Sequence, residues 1–145
     1  MLPKINPDAL EAVAHADHGA PFEVLGAQSL NANQVVMRTI QPNASAVSVV
    51  LPGEPARIIP MDKIHPAGVF ETVIDTAALS RNYRYAVTNG AGVESFQHDP
   101  YNTARFPLTI TEFDIYLLRQ GRHFESYEKL GAHVREIEGV RGVNF

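Results

Sequence analysis

The chain contains no cysteine and no tryptophan. The first absence excludes a disulfide framework, a thiolate metal site and a cysteine nucleophile, and it suits a reducing cytoplasm, where we expect the protein to reside. The second removes the largest aromatic surface with which a binding face covers the apolar side of a sugar. No apolar run reaches the roughly 18 residues of a membrane span, and the N-terminus lacks a basic start followed by an apolar stretch. Net charge is −4, with Lys and Arg scattered, so no basic field exists for nucleic-acid phosphates or anionic lipid. Nucleic acid and membrane are therefore not expected as partners.

Catalytic signatures are missing as well. Of six histidines only His15 and His18 lie close in sequence, and there is no HExxH motif, so no metal and no cofactor are expected. Ser45, Ser48, Ser80, Ser95 and Ser126 lack nucleophile-elbow context, and Gly90-Ala91-Gly92 is a turn rather than a phosphate cradle. Sixteen acids offer many carboxylate pairs on paper. A glycosidase pair must be held at a defined separation in a cleft, which a small sandwich rarely builds. No catalytic residue is assigned.

What is present reads as mainly β. Asn6-Pro7-Asp8 is a helix start, since Asn accepts from first-turn amides, Pro fits the first helical position and the acid favours the dipole. The helix is expected to reach about Ala16, ahead of Gly19 and Pro21. From Gln34 to Phe96 short alternating runs predict strands: Val47, Val49 and Leu51 oppose Ser48 and Val50, Val69 to Asp75 alternate, and Tyr83, Tyr85 and Val87 oppose Arg84, Ala86 and Thr88. One face of such strands meets a core and the other water. Asn89-Gly90 predicts a hairpin joining the last two strands. Many turn residues and no interleaved long helices predict an immunoglobulin-like antiparallel β-sandwich.

After Pro107 the pattern becomes helical. Thr111 with Asp114 three residues later reads as a capping box, Phe113 and Leu117 share a face, and Gly121 stops the helix. A second short helix is expected from about Phe124 to Leu130. Leu25-Gly26-Ala27-Gln28 then returns as Leu130-Gly131-Ala132-His133, about one domain length later, each copy leading into a β-like run. The expected organisation is a helical segment over 1–20, a β-sandwich over 21–108, a helical connector over 109–131, and the cut start of a second sandwich over 132–145. Strand residues Val143 to Phe145 would then be frayed, their donors and apolar side chains lacking partners.

Among the aromatics, Phe70, Tyr83, Tyr85 and Phe96 have the alternation of core or sheet-face packing. Tyr101 and Phe106 fall in the irregular stretch His98 to Pro107, and Phe113, Tyr116 and Tyr127 fall in the connector. These five are the candidates for interdomain packing. Residues that bind carbohydrate are not assigned.

The connector carries a resemblance. His98-Asp99-Pro100-Tyr101, Phe106-Pro107, Asp114-Ile115-Tyr116-Leu117, Gly121-Arg122-His123 and Tyr127-Glu128-Lys129-Leu130-Gly131-Ala132-His133, in this order, resemble bacterial 1,4-α-glucan (glycogen) branching enzymes. So do His18, Pro21-Phe22, Val24-Leu25-Gly26, Arg38, Pro42-Asn43-Ala44 and Val47-Ser48-Val49-Val50. Gln120, where members often carry an acid, and the lengthened gap Asn102 to Arg105 depart from the pattern.

The resemblance implies a first sandwich joined to a second of the carbohydrate-binding family 48 type, opening near Gly142-Val143-Asn144-Phe145. The catalytic barrel, of glycoside hydrolase family 13 type, would lie beyond Phe145. The implied role is non-catalytic: interdomain positioning and donor-chain-length control during formation of α-1,6 branches, with the remaining domains of the parent as partners. Alternatives are direct binding of α-glucan (glycogen or maltooligosaccharides), and the leading sandwich of a related debranching or trehalose-forming hydrolase.

Overall fold

The structure, a computed structural model, describes residues 5–105, 109–137 and 139–145. It divides into two compact units, Met1–Phe106 and Pro107–Phe145.

In the first unit Asn6 caps helix α1 (Pro7–Ala14), its side-chain oxygen accepting from the Asp8 amide at 2.9 Å. The helix stops two residues short of expectation. Asp17 N–H bonds Ala12 O at 2.8 Å and Ala16 N–H bonds Val13 O at 3.1 Å, a Schellman closure with Ala16 rather than glycine at positive φ. The strands are β1 (Gly26–Ser29), β2 (Gln34–Ile40), β3 (Ala44–Leu51), β4 (Arg57–Pro60), β5 (Asp62–His65), β6 (Val69–Asp75), β7 (Arg84–Asn89) and β8 (Glu94–Gln97). They form two antiparallel sheets, ordered β1-β2-β6-β5 and β4-β3-β7-β8.

The fold is a β-sandwich. Val35, Met37, Phe70 and Ile74 of the first sheet meet Val47, Val49, Leu51, Tyr85 and Val87 of the second, each large buried side chain contributing about 1.5–3 kcal/mol. A second cluster lies on the other face of the first sheet, where Val13 and Leu10 of α1, with Val24, Leu25 and Tyr101, cover Val69, Ile40 and Ile64. That cover corrects the expectation of one wet face: Val35 through Thr39 of β2 are all buried.

The hairpin at Asn89 forms with a longer loop than Asn-Gly alone requires. Asn89 N–H bonds Val93 O at 3.0 Å, its side chain accepts from Ala91 and Val93 amides, and Gly92 takes φ +80°. Phe70, Tyr83 and Tyr85 are buried as expected, whereas Phe96 stands exposed beneath the Arg84 guanidinium, 5.9 Å from its ring centre.

In the second unit α2 (Glu112–Arg119) starts at the expected Thr111–Asp114 capping box and ends at Gly121, φ +63°, with Arg122 N–H on Leu117 O at 2.9 Å. The expected second helix is only a 3₁₀ turn, Ser126–Glu128, because so short a segment gains too few hydrogen bonds to nucleate an α-helix. Strands β9 (His133–Ile137) and β10 (Val140–Asn144) pair antiparallel, from Val140 opposite Ile137 to Asn144 opposite His133. The end of the chain is thus paired rather than frayed as far as Asn144, along the one edge that faces β9, Phe145 lying beyond the pairing. Its apolar side chains do lack cover: Val134, Ile137, Val140, Val143 and Phe145 are exposed.

Candidate functional site

The point where the chain leaves the sandwich is built around one carboxylate. Asp99 is 1% exposed. Its Oδ2 accepts from the hydroxyls of Tyr83 and, at 3.1 Å, Tyr85, and its Oδ1 accepts from the Tyr101 amide at 2.9 Å. The two tyrosine rings meet edge to face, centroids 5.7 Å apart. Burial first, and the neighbouring carboxylate second, push both phenols well above their ordinary range.

Asn102 continues the anchoring, donating to Arg81 O at 2.8 Å and accepting from the Arg105 amide at 3.3 Å. The stretch is irregular in secondary structure yet fixed. Tyr101 spends its ring inside this unit, edge-on to Phe22 at 5.0 Å and packed on the α1 cluster. Its main chain and Cβ press on Gly26, where a Cβ would come within 3.0 Å of Tyr101 Cβ. Beside this contact runs an open groove of about 330 Å³ lined by Ala27, Arg81, Tyr83, Tyr101, Asn102 and Thr103 among others. That volume is at the low end for small-ligand clefts. Phe106, the other residue expected to pack between domains here, lies outside the described residues.

The second unit has its own carboxylate hub. Asp114 Oδ2 accepts from the Thr111 amide at 2.8 Å and hydroxyl at 2.7 Å, Oδ1 lies 2.9 Å from His123 Nε2, and Lys129 Nζ is 3.8 Å from Oδ2. The Thr111 bonds first, then His123, hold the Asp114 carboxyl well below the usual carboxylate range. The carboxylate fixes His123 as a donor through Nε2. One residue thereby ties the start of α2 to the segment after it.

That scaffold displays aromatic rings. Phe113 and Tyr116, one helical turn apart, stack at 6.4 Å and are exposed, as are Phe124 and Tyr127. Among the described residues no group of three or more His, Asp or Glu side chains is placed to hold a metal ion, and no helix is long and apolar enough to cross a membrane. Sequence reasoning missed Asp99, Asn102 and Phe22 as parts of this exit, and Phe124 as part of the exposed surface. The only sequence signal for Asp99 was its place in the His98-Asp99-Pro100-Tyr101 motif.

Residues 6–101 match the family model described as alpha-1,4-glucan branching enzyme GlgB, N-terminal domain. The chain is 39% identical over 144 residues to the 1,4-alpha-glucan branching enzyme GlgB of Trichodesmium erythraeum, covering 97% of this chain and 18% of that protein. It is 40% identical over 144 residues to the GlgB of a Nostoc species, with the same coverages. It therefore spans about 18% of the length of these curated relatives. Among solved structures, the Group B Streptococcus pullulanase SAP superposes with TM-score 0.41 at 25% identity over 53% of this chain and 11% of that one. The family model matches most of the chain, and the chain belongs to the GlgB N-terminal-domain family of alpha-1,4-glucan branching enzymes.

Proposed function

We propose that this chain is the non-catalytic N-terminal module of a glycogen branching enzyme, and that it acts by positioning the domains that follow it. The observation that carries this reading is an anchored exit followed by an apolar connector: Asp99 accepts from Tyr83, Tyr85 and the Tyr101 amide at the end of the sandwich, and the connector beyond exposes Phe113, Tyr116 and Tyr127. These three are the proposed interdomain contacts. Tyr101 supports them indirectly, by fixing the exit.

In the intact cytoplasmic enzyme, a retaining barrel would cleave an α-1,4-glucan through a covalent glycosyl intermediate and pass the chain to a 6-hydroxyl. This module would set how donor chains of different length reach that barrel. Residues 132–145 would open the second sandwich, after a helical segment over 1–20, a sandwich over 21–108 and a connector over 109–131. A debranching or trehalose-forming parent is set aside, because the matched family is that of a branching enzyme.

The test is deletion of Met1 to Leu108 from the parent enzyme, followed by chain-length analysis of its product. A shifted distribution with branching retained is expected. An unchanged distribution would remove the positioning role. The groove beside Tyr101 favours a second reading, direct binding of α-glucan, since it offers an aromatic ring with Asn and Thr side chains for hydroxyl groups. Titration of the labelled chain with maltoheptaose at millimolar concentration, a regime of about −4 kcal/mol, is expected to move amides of Arg81 and Tyr101 to Thr103 if that reading holds. Silence in a well-folded spectrum removes it.

A further inference from the structure

Residues 21–28 and 126–133 make the same turn, beyond the four-residue match between them. Each begins as a 3₁₀ helix, Pro21–Glu23 and Ser126–Glu128. In the first, Val24 and Leu25 amides both bond Pro21 O, at 3.1 and 2.8 Å; in the second, Lys129 and Leu130 amides both bond Ser126 O, at 3.1 and 2.8 Å. The glycine that follows takes φ +82° at Gly26 and +95° at Gly131. Gln28 Nε2 then donates back to Leu25 O at 2.7 Å, and His133 Nε2 to Leu130 O at 3.1 Å. In this register an aromatic stands at 22 and 127 and a glutamate at 23 and 128.

The environments differ. Leu25 is 2% exposed, inside the cluster with Val13, Val69 and Tyr101, and Phe22 meets the Tyr101 ring. Leu130 is 45% exposed and Tyr127 is 69% exposed. The molecule therefore shows one covered and one uncovered version of a single turn. Each turn then leads into an antiparallel strand pair, β1 with β2 and β9 with β10, the second pair being displaced by three residues in register from the first. Cross-strand partners share a face, so Ile137 and Val140 lie on one side of the second hairpin and Val134 and Val143 on the other. Apolar residues on both faces are what β2 has, and β2 is buried on both.

We propose that the Tyr127–Leu130 turn is a docking surface for the sandwich that the β9–β10 hairpin begins, with Leu130 entering that sandwich's outer aliphatic cluster and Tyr127 meeting an aromatic ring at its exit. The inference rests on the reading that residues 132–145 open a second sandwich, and the occupant is the polypeptide that follows this span in the longer relatives. A second copy of this chain does not fit, because its equivalent surface is already filled by its own Leu25 and Phe22.

The test compares this chain with the same chain extended after Phe145 by the residues that follow the matched span in the Trichodesmium erythraeum protein. Relaxation enhancement of leucine methyls by a soluble gadolinium chelate is read for Leu25 and Leu130. In the 145-residue chain Leu130, 45% exposed, is expected to respond strongly and Leu25, 2% exposed, not to respond. Extension is expected to abolish the Leu130 response, down to that of Leu25, and to give contacts between the Tyr127 ring and another aromatic. Leu130→Asp is expected to leave the thermal transition of the unextended chain unchanged and to remove amide protection of β9 and β10 in the extended one. Protected β9–β10 amides with Leu130 still responding would overturn this inference and leave the second-sandwich reading standing. Extension that protects neither would overturn both.

Discussion

The hydroxyl of Tyr83, immediately before β7, donates to the buried carboxylate of Asp99, which lies beyond the end of β8. The bond clamps the exit of the sandwich to its core, together with the bonds from Tyr85 and the Tyr101 amide. A hydrogen bond to a charged group contributes about 1.5–3 kcal/mol. Tyr83→Phe keeps the ring and removes only that donor, so the urea midpoint is expected to fall by a corresponding amount with an unchanged slope. An unaltered midpoint would mean that Asp99 finds a replacement partner.

The same cluster sets an alkaline limit. Tyr83 and Tyr85 are neutral when protonated, and their folded values lie above the unfolded value of 10. Stability from them is therefore complete below about pH 10 and is lost as pH rises towards their folded values. Absorbance at 295 nm should show two of the five tyrosines ionising only together with unfolding. Independent titration of all five in folded protein would contradict the cluster.

At the acid end the sensitive group is Asp114. Its folded value is depressed below 3.8, so its contribution is present above that pH and declines as pH falls through the folded value. Protection of the α2 amides, taken relative to their intrinsic exchange at each pH, should persist at pH 4 and fall progressively below it. Asp114→Asn should quicken exchange at neutral pH and remove the acid dependence. Thr111→Ala should cost about 1 kcal/mol, as for other lost caps.

How far these features were legible depended on their reach along the chain. The Asn6 cap and the Thr111–Asp114 box are contacts over two or three residues, so their residue types announced them. The alternation of β3 was plain because its second face is partly open to water. Asp99 gave no such signal, since its phenol partners stand 14 and 16 residues away and meet it only once β7 is in place. The same holds for Tyr101 and Phe22, joined across most of the unit, and for β2, whose second face lies on the side of the sheet covered by α1 together with Val24, Leu25 and Tyr101. The connector aromatics were legible as a group, but their exposure, which gives them their role, belongs to the folded surface.

Arg38 and Glu71 pair across β2 and β6 with Nε and Oε2 at 2.5 Å, both buried, on the sheet face shared with Ile40. Glu71→Ala leaves an unpaired guanidinium without water and is expected to cost about 3–5 kcal/mol. Joint replacement by Met at 38 and Leu at 71 should be neutral or stabilising, because neither charge then needs a partner. Urea unfolding of the single and double variants distinguishes these outcomes. A double variant as unstable as the single one would show that this face requires the pair itself.

Gly26 and Gly131 occupy the same place in the two turns at positive φ, yet their surroundings differ. A Cβ on Gly26 would meet Tyr101 Cβ at 3.0 Å and its carbonyl oxygen at 3.1 Å, whereas nothing lies within 4 Å of one on Gly131. Gly131→Ala should cost only backbone strain, about 1–3 kcal/mol, and leave the first unit untouched. Gly26→Ala pays that strain and also displaces Tyr101, so it should lower the urea midpoint of the sandwich further and shift the Phe22 and Tyr101 ring signals. Equal effects on the two units would mean that Tyr101 yields without resistance. In the chain extended beyond Phe145, the Gly131→Ala penalty should rise towards that of Gly26→Ala, because the cover that the first turn already has would then lie over the second.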